Sequence, residues 1–254
     1  MSLKFYQPTD KSGIVDLIYS NTNADSTKYP LKEVTRDVNL ALDRAVELAI
    51  KSSGNAIFDD SNHTKQPIIY FNLVSGQRDY SAVTDEQGNL ILDYYRIMVA
   101  SEDGIYYDLE KINQQGKNAN TLGMVDGQNI TGKPSKYAQT GTSIFLDAIP
   151  DYSYTKGIKC FINREGLHFS VPTVNVADDT MPGIDGRLHE YLAVRPTTYY
   201  AHRKNLNNAN FWTNELLKWE GDEDKGITGA IEGVYSKRMK DEPTKIIPKY
   251  RSSR

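Results

Sequence analysis

The chain changes its hydropathy period twice, and no other feature constrains its fold as much. Apolar residues recur at helical spacing before Gly54, alternate in short runs between about Tyr70 and Val171, and return to helical spacing near Arg187. Such a pattern sets a β-rich middle between two helical ends. The expected class is α+β, a helical bundle built from both chain ends with an inserted antiparallel β-sandwich or barrel-like domain. The boundaries read as residues 1–64 and 180–235 for the helical part, 65–179 for the β part and 236–254 for a basic tail.

Within the first helical stretch, Ile14, Leu17 and Ile18 mark a short amphipathic helix. Pro30 suits a first helical turn, and Leu31, Val34, Val38, Ala41, Leu42, Ala45 and Leu48 follow with helical period. The opposite face of that helix carries Lys32, Arg36, Asp43 and Glu47, and Gly54 is placed to cap its end. The β part opens at residues 68–73, with 76–80 as a turn and return strand. Residues 90–99 form a longer run, and Ser101-Glu102-Asp103-Gly104 turns it into 105–109. Residues 111–127 read as an exposed loop, and strands resume over 136–146 and 157–164. In the helical return, Leu188, Tyr191 and Leu192 share a side, and Pro196 is expected to kink or split the helix. Trp212, Leu216 and Trp219 predict a further helix with a core-facing stripe, and Ile227, Ile231 and Val234 a last one.

The residue inventory supplies no catalytic constellation and implies no cofactor. Cys160 is the only cysteine, which excludes an intrachain disulfide and a zinc ribbon. It alternates with Ile158 and Ile162 and reads as a small core residue. Asp59-Asp60-Ser61-Asn62-His63 has groups that suit a metal ion, but no second ligand cluster follows, and a turn capped by its own side chains is the preferred reading. Gly127-Gln128-Asn129-Ile130-Thr131-Gly132-Lys133 imitates a phosphate-binding loop, but Pro134 stands where a magnesium-holding hydroxyl is needed. His63, His168, His189 and His202 are scattered. Asp178-Asp179 reads as a cap or bend in the link back to the helices.

A net charge of -3 argues against a general grip on nucleic acid. The first residues lack the apolar stretch of a signal peptide, and no apolar run reaches spanning length, so the expected place of synthesis and residence is a reducing cytoplasm. The end of the chain is different: Lys237, Arg238, Lys240, Lys245, Lys249, Arg251 and Arg254 accumulate there, with Ile246, Ile247 and Tyr250 among them. It reads as a solvated, mobile end, with ordering on an acidic partner surface or near nucleic acid as the alternative. Tyr106, Tyr107, Tyr152 and Tyr154 invite a second reading, a surface- or carbohydrate-binding module in which rings stack on a sugar; cross-strand packing is the plainer account.

Over residues 29–205 the order of phrases resembles the head–tail connector (adaptor, or head-completion) proteins of tailed bacteriophages. The phrases are Tyr29-Pro30-Leu31, Thr35-Arg36-Asp37-Val38-Asn39, Phe58-Asp59-Asp60-Ser61-Asn62 and Leu73-Val74-Ser75-Gly76-Gln77-Arg78-Asp79-Tyr80. Gly132-Lys133-Pro134-Ser135-Lys136-Tyr137, Ile144-Phe145-Leu146, Pro150-Asp151 and Leu188-His189-Glu190-Tyr191-Leu192-Ala193 complete them. Ile57, Ala148 and Pro196 depart from the pattern.

The resemblance implies a non-enzymatic virion protein of the neck. Its copies would form a ring, usually twelvefold, beneath the portal protein, meeting stopper, terminator or tail proteins on the other side. DNA would pass the channel without sequence-specific binding, and no membrane is involved. Lys32, Arg36, Asp43 and Glu47 would supply ring contacts. Lys237, Arg238, Lys240, Lys245, Ile246, Ile247, Lys249, Tyr250 and Arg251 would dock on the portal or on a neighbouring subunit.

Overall fold

The computed structural model describes residues 3–53, 68–86, 88–112, 130–222 and 225–240, with backbone alone at Ser53 and 237–240. The Gly54 cap, the polar turn around Asp59 and His63, the phosphate-loop imitation before Ile130 and the basic residues beyond Lys240 lie outside the described residues. Among the described residues the fold is mixed α+β, with five α-helices and no closed barrel.

Helices α1 (Ile14–Thr22) and α2 (Leu31–Ser53) come first. Asp16 fixes the start of α1, its carboxylate accepting from the backbone of Gly13 and Gln7. Pro30 stands immediately before α2, and the Val34 amide already bonds back to its carbonyl. The apolar face of α2, from Val34 through Leu48, is buried. It joins Phe5, Ile14, Ile18, Tyr29, Tyr191, Leu192, Ile231 and Tyr235 in one hydrophobic cluster drawn from both ends of the chain.

The strands are β1 (Ile68–Leu73), β2 (Asp79–Ser81), β3 (Ile91–Ala100), β4 (Tyr106–Asp108), β5 (Glu110–Lys111), β6 (Lys136–Thr140), β7 (Ser143–Leu146) and β8 (Tyr154–Arg164). They make two four-stranded sheets, β1-β8-β3-β4 and β2-β7-β6-β5. The first is antiparallel, with Ile97 opposite Cys160; the second is mixed, because β5 and β6 run parallel. Both sheets feed a second hydrophobic cluster that includes Leu73, Tyr80, Tyr94, Ile97, Tyr137, Ile144, Leu146 and Cys160. Cys160 is fully buried there, and burial pushes its thiol well above the ordinary range.

Several expectations are corrected. Residues 76–80 do not return along β1: β2 crosses into the other sheet and pairs with β7, Tyr80 opposite Ile144. The link can cross because Gly76 takes a positive φ of 83° and the Tyr80 hydroxyl engages Val74 and Gln77, which folds 74–80 on itself and drops the Tyr80 ring into the shared cluster. Pro196 does not split its helix either: α3 (Tyr191–Arg203) runs through it, and the break falls earlier, between the 3-10 turn Gly186–Leu188 and Tyr191. Pro196 forfeits one intrahelical bond, to the Leu192 carbonyl, and the burial of α3 on several sides, at Leu192, Ala193, Thr197, Tyr200 and Ala201, offsets that local loss.

The stripe of α4 (Ala209–Glu220) does face the helical cluster, against which Leu216 and Trp219 pack, but it lies at the edge of that cluster. No residue of α4 is fully buried; Trp212, Leu216 and Trp219 are half-buried at the rim, and Phe211 is 55% exposed. After α4 come β9 (Gly221–Asp222), β10 (Ile227–Thr228) and α5 (Ala230–Lys240). Ile227 therefore belongs to an exposed strand and not to the last helix, and α5 continues through residues 236–240, which the sequence reading gave to the tail. The hairpin is closed so tightly that a Cβ on Gly229 would stand 2.3 Å from the Trp219 carbonyl oxygen.

His189 clasps the N-terminal segment. Its Nδ1 accepts from the Leu3 amide at 2.9 Å, so Nε2 carries the proton and donates to the Ile184 carbonyl at 3.1 Å. Burial holds this imidazole below its ordinary 6.5, against the opposing pull of Asp185. The unfolded chain thus binds a proton that the folded chain refuses, and stability is present above pH 6.5 and lost as pH falls below it. Urea unfolding is expected to show a falling midpoint between pH 7.5 and 5.5. His189→Gln should flatten that dependence and cost about 1–3 kcal/mol at pH 7.5, because buried partners are orphaned.

Candidate functional site

Strand alternation gives the first sheet a second face. Tyr94, Ile158, Cys160 and Ile162 point into the β cluster, and their neighbours Asp93, Tyr95, Phe161 and Asn163 point away from it. Tyr95 and Phe161 meet with ring centroids 6.1 Å apart, and Tyr95 packs against the helical cluster. Beside this contact, α2 presents Asp43, Val46, Glu47 and Ile50, one face at i, i+3, i+4 and i+7. Between that face and Leu92, Asp93, Asn163 and Glu165 lies a cleft of about 520 Å³.

The cleft is apolar at Val46, Ile50 and Leu92 and acidic at Asp43, Glu47, Asp93 and Glu165. Asp43 meets His168 at 2.7 Å, Glu47 meets Arg44 at 2.8 Å, and Asp93 lies 3.6 Å from Lys111. Asp93 and Asn163 are paired across the β3–β8 ladder. Asn163 is 2% exposed, and its Oδ1 has no hydrogen-bond partner among the described residues. The arrangement suits a cationic, partly apolar guest.

The structure divides the four residues expected at ring contacts. Asp43 and Glu47 enter the cleft. Lys32 is exposed at the other end of α2, and Arg36 is spent on the buried Asp37 at 2.8 Å. Lys237, Arg238 and Lys240 lie on the backbone of α5, whereas Lys245, Ile246, Ile247, Lys249, Tyr250 and Arg251 lie outside the described residues. Sequence periodicity does not single out Asp93, Asn163 or Glu165; for Asp93 and Asn163 the available signal is a polar residue at an outward position of an apolar strand, and Glu165 follows β8.

The tyrosines of the carbohydrate reading are half-buried. Tyr106 donates to the Lys156 carbonyl at 2.7 Å, Tyr152 to the Ala100 carbonyl at 2.7 Å, and Lys133 sits 4.0 Å from the Tyr107 ring centroid. Asp178 caps the bend in the link back to the helices, its carboxylate accepting from the Thr180 amide at 2.9 Å, and the pair also holds the N-terminal segment: Asp178 forms a bridge with Tyr6, and Asp179 binds Lys4 and Gln7. Among the described residues no group of three His, Cys, Asp or Glu side chains is placed to hold a metal ion, and no helix is long and apolar enough to cross a membrane. Comparison with known protein families and with curated proteins finds no match.

Proposed function

We propose that this protein is a structural connector of a tailed-phage neck, a ring-forming subunit that sits beneath the portal and helps retain packaged DNA. The single observation that carries the reading is the division of the hydrophobic interior. Residues from both chain ends share one helical cluster, and β1 to β8 share another, in the order that the resemblance to connector proteins implies. In this reading the helical cluster is the ring-forming domain and the two sheets are an inserted, sandwich-like domain. The portal and the tail-side proteins are the partners, the virion neck is the location, and the basic C-terminus docks.

The test is reconstitution on DNA-packaged, tailless heads of the source phage, read by electron microscopy. The truncated partner in the comparison should end at Lys240, since a cut before Tyr235 would remove a fully buried ring from the helical cluster. The full chain is expected to add a ring at the portal vertex, and the truncated chain none. A ring from both would leave the connector and remove the docking role of the tail. No ring from either would overturn the connector, and a glycan array would then examine the exposed sheet faces.

A further inference from the structure

We infer that the acidic cleft between α2 and the β3–β8 ladder is the seat of the chain's own C-terminal segment, residues 245–254, before assembly. The cleft offers four carboxylates around Val46, Ile50 and Leu92, with the buried amide of Asn163, whose Oδ1 has no partner among the described residues, at its wall. The segment Lys245-Ile246-Ile247-Pro248-Lys249-Tyr250-Arg251-Ser252-Ser253-Arg254 has the complementary chemistry. It holds four cationic and no acidic side chains, with two isoleucines and a tyrosine between them. Arg44, Lys111 and His168 also face these carboxylates, so the attraction is the surplus left after those contacts. Glu165 has no such contact among the described residues, and it is the carboxylate most available to an incoming cation.

Reach and concentration agree with the assignment. The last described residue is Lys240, and the 14 residues beyond it can extend about 45 Å. The radius of gyration expected of a chain this size is roughly 18 Å. A tethered segment experiences an effective concentration of order millimolar, so weak intrinsic affinity suffices for occupancy. The same charges make the contact salt-sensitive and exchangeable. A docked tail is unavailable to a neighbour until a partner surface competes for it, which would keep free subunits apart. That last consequence rests on the connector reading; occupancy of the cleft does not.

The experiment is disulfide trapping in the full chain carrying Leu92→Cys and Ile247→Cys, with Val171→Cys and Ile247→Cys as the control pair. Val171 is 54% exposed outside the cleft, and the native Cys160 is buried. Mild oxidation at low salt is expected to trap the first pair within one chain at least fivefold faster than the control. Molar salt, or Glu165→Lys with Asp93→Lys, should remove that advantage. Equal rates for the two pairs would overturn the proposal, as would a covalent dimer, which would assign the cleft to the tail of a second copy. Since no heads are involved, failure here leaves the ring assay to judge the connector separately.

Discussion

Asp85→Ala is expected to lower the unfolding free energy by about 3–5 kcal/mol, the range for removing one partner of a buried ion pair. Arg164, at the end of β8, is 4% exposed, and its Nη1 lies 2.6 Å from the Asp85 carboxylate. Without Asp85 the guanidinium would keep its charge in a site that admits almost no water, while Asn89 would lose the carboxylate that holds its backbone amide at 2.8 Å. Urea unfolding measures the effect, as a shift in midpoint with an unchanged slope. The double variant Asp85→Leu with Arg164→Met supplies the control: removing both charges should recover most of the loss. A double variant as weak as the single one would assign the cost to the 85–89 turn and not to the buried charge.

Asp37→Ala is the corresponding change in the helical cluster, with an expected loss of about 3 kcal/mol, the scale of charged hydrogen bonds removed together with an orphaned hydroxyl. Asp37 is 4% exposed and gathers Tyr29 at 2.6 Å, Arg36 at 2.8 Å and Arg203 at 3.2 Å. It thereby ties the turn before α2 to α2 itself and to the end of α3. Arg36 and Arg203 can rehydrate when the carboxylate goes, because both are partly exposed. The fully buried Tyr29 cannot, and its stacking on Tyr200, with centroids 4.5 Å apart, would loosen with it. The Tyr29→Phe variant should therefore reduce the additional penalty of Asp37→Ala, a coupling that a double-mutant cycle reads directly. Additive losses would show that the hydroxyl is not the group that suffers.

The sequence disclosed what is set by local periodicity. The buried face of α2 and the alternation around Cys160 were both readable, because each depends on spacing along one element. The misread features depend on what an element packs against. Pro196 is tolerated because α3 is surrounded, Ile227 leaves the last helix to pair with β9, and β2 leaves β1 because the second sheet needs Tyr80. The cleft follows the same rule. Asp43 and Glu47 were visible as a charged helix face, but Asp93, Asn163 and Glu165 join them only when the outer face of one sheet meets α2. Asp37 was quoted as part of a recurring phrase; its role as an anchor emerged only with the positions of Tyr29 and Arg203.

The lone thiol turns the β layer into its own timekeeper. Cys160 stands in the middle of β8, hydrogen-bonded ladders on both sides, with no exposed surface. A thiol reagent can reach it only after the two sheets part or β8 leaves β1 or β3, so the labelling rate counts openings of the β cluster and is silent to fraying elsewhere. Measured in free subunits and again in whatever assembly they enter, that one rate would report how far joining neighbours steadies a part of the chain remote from its helical ends.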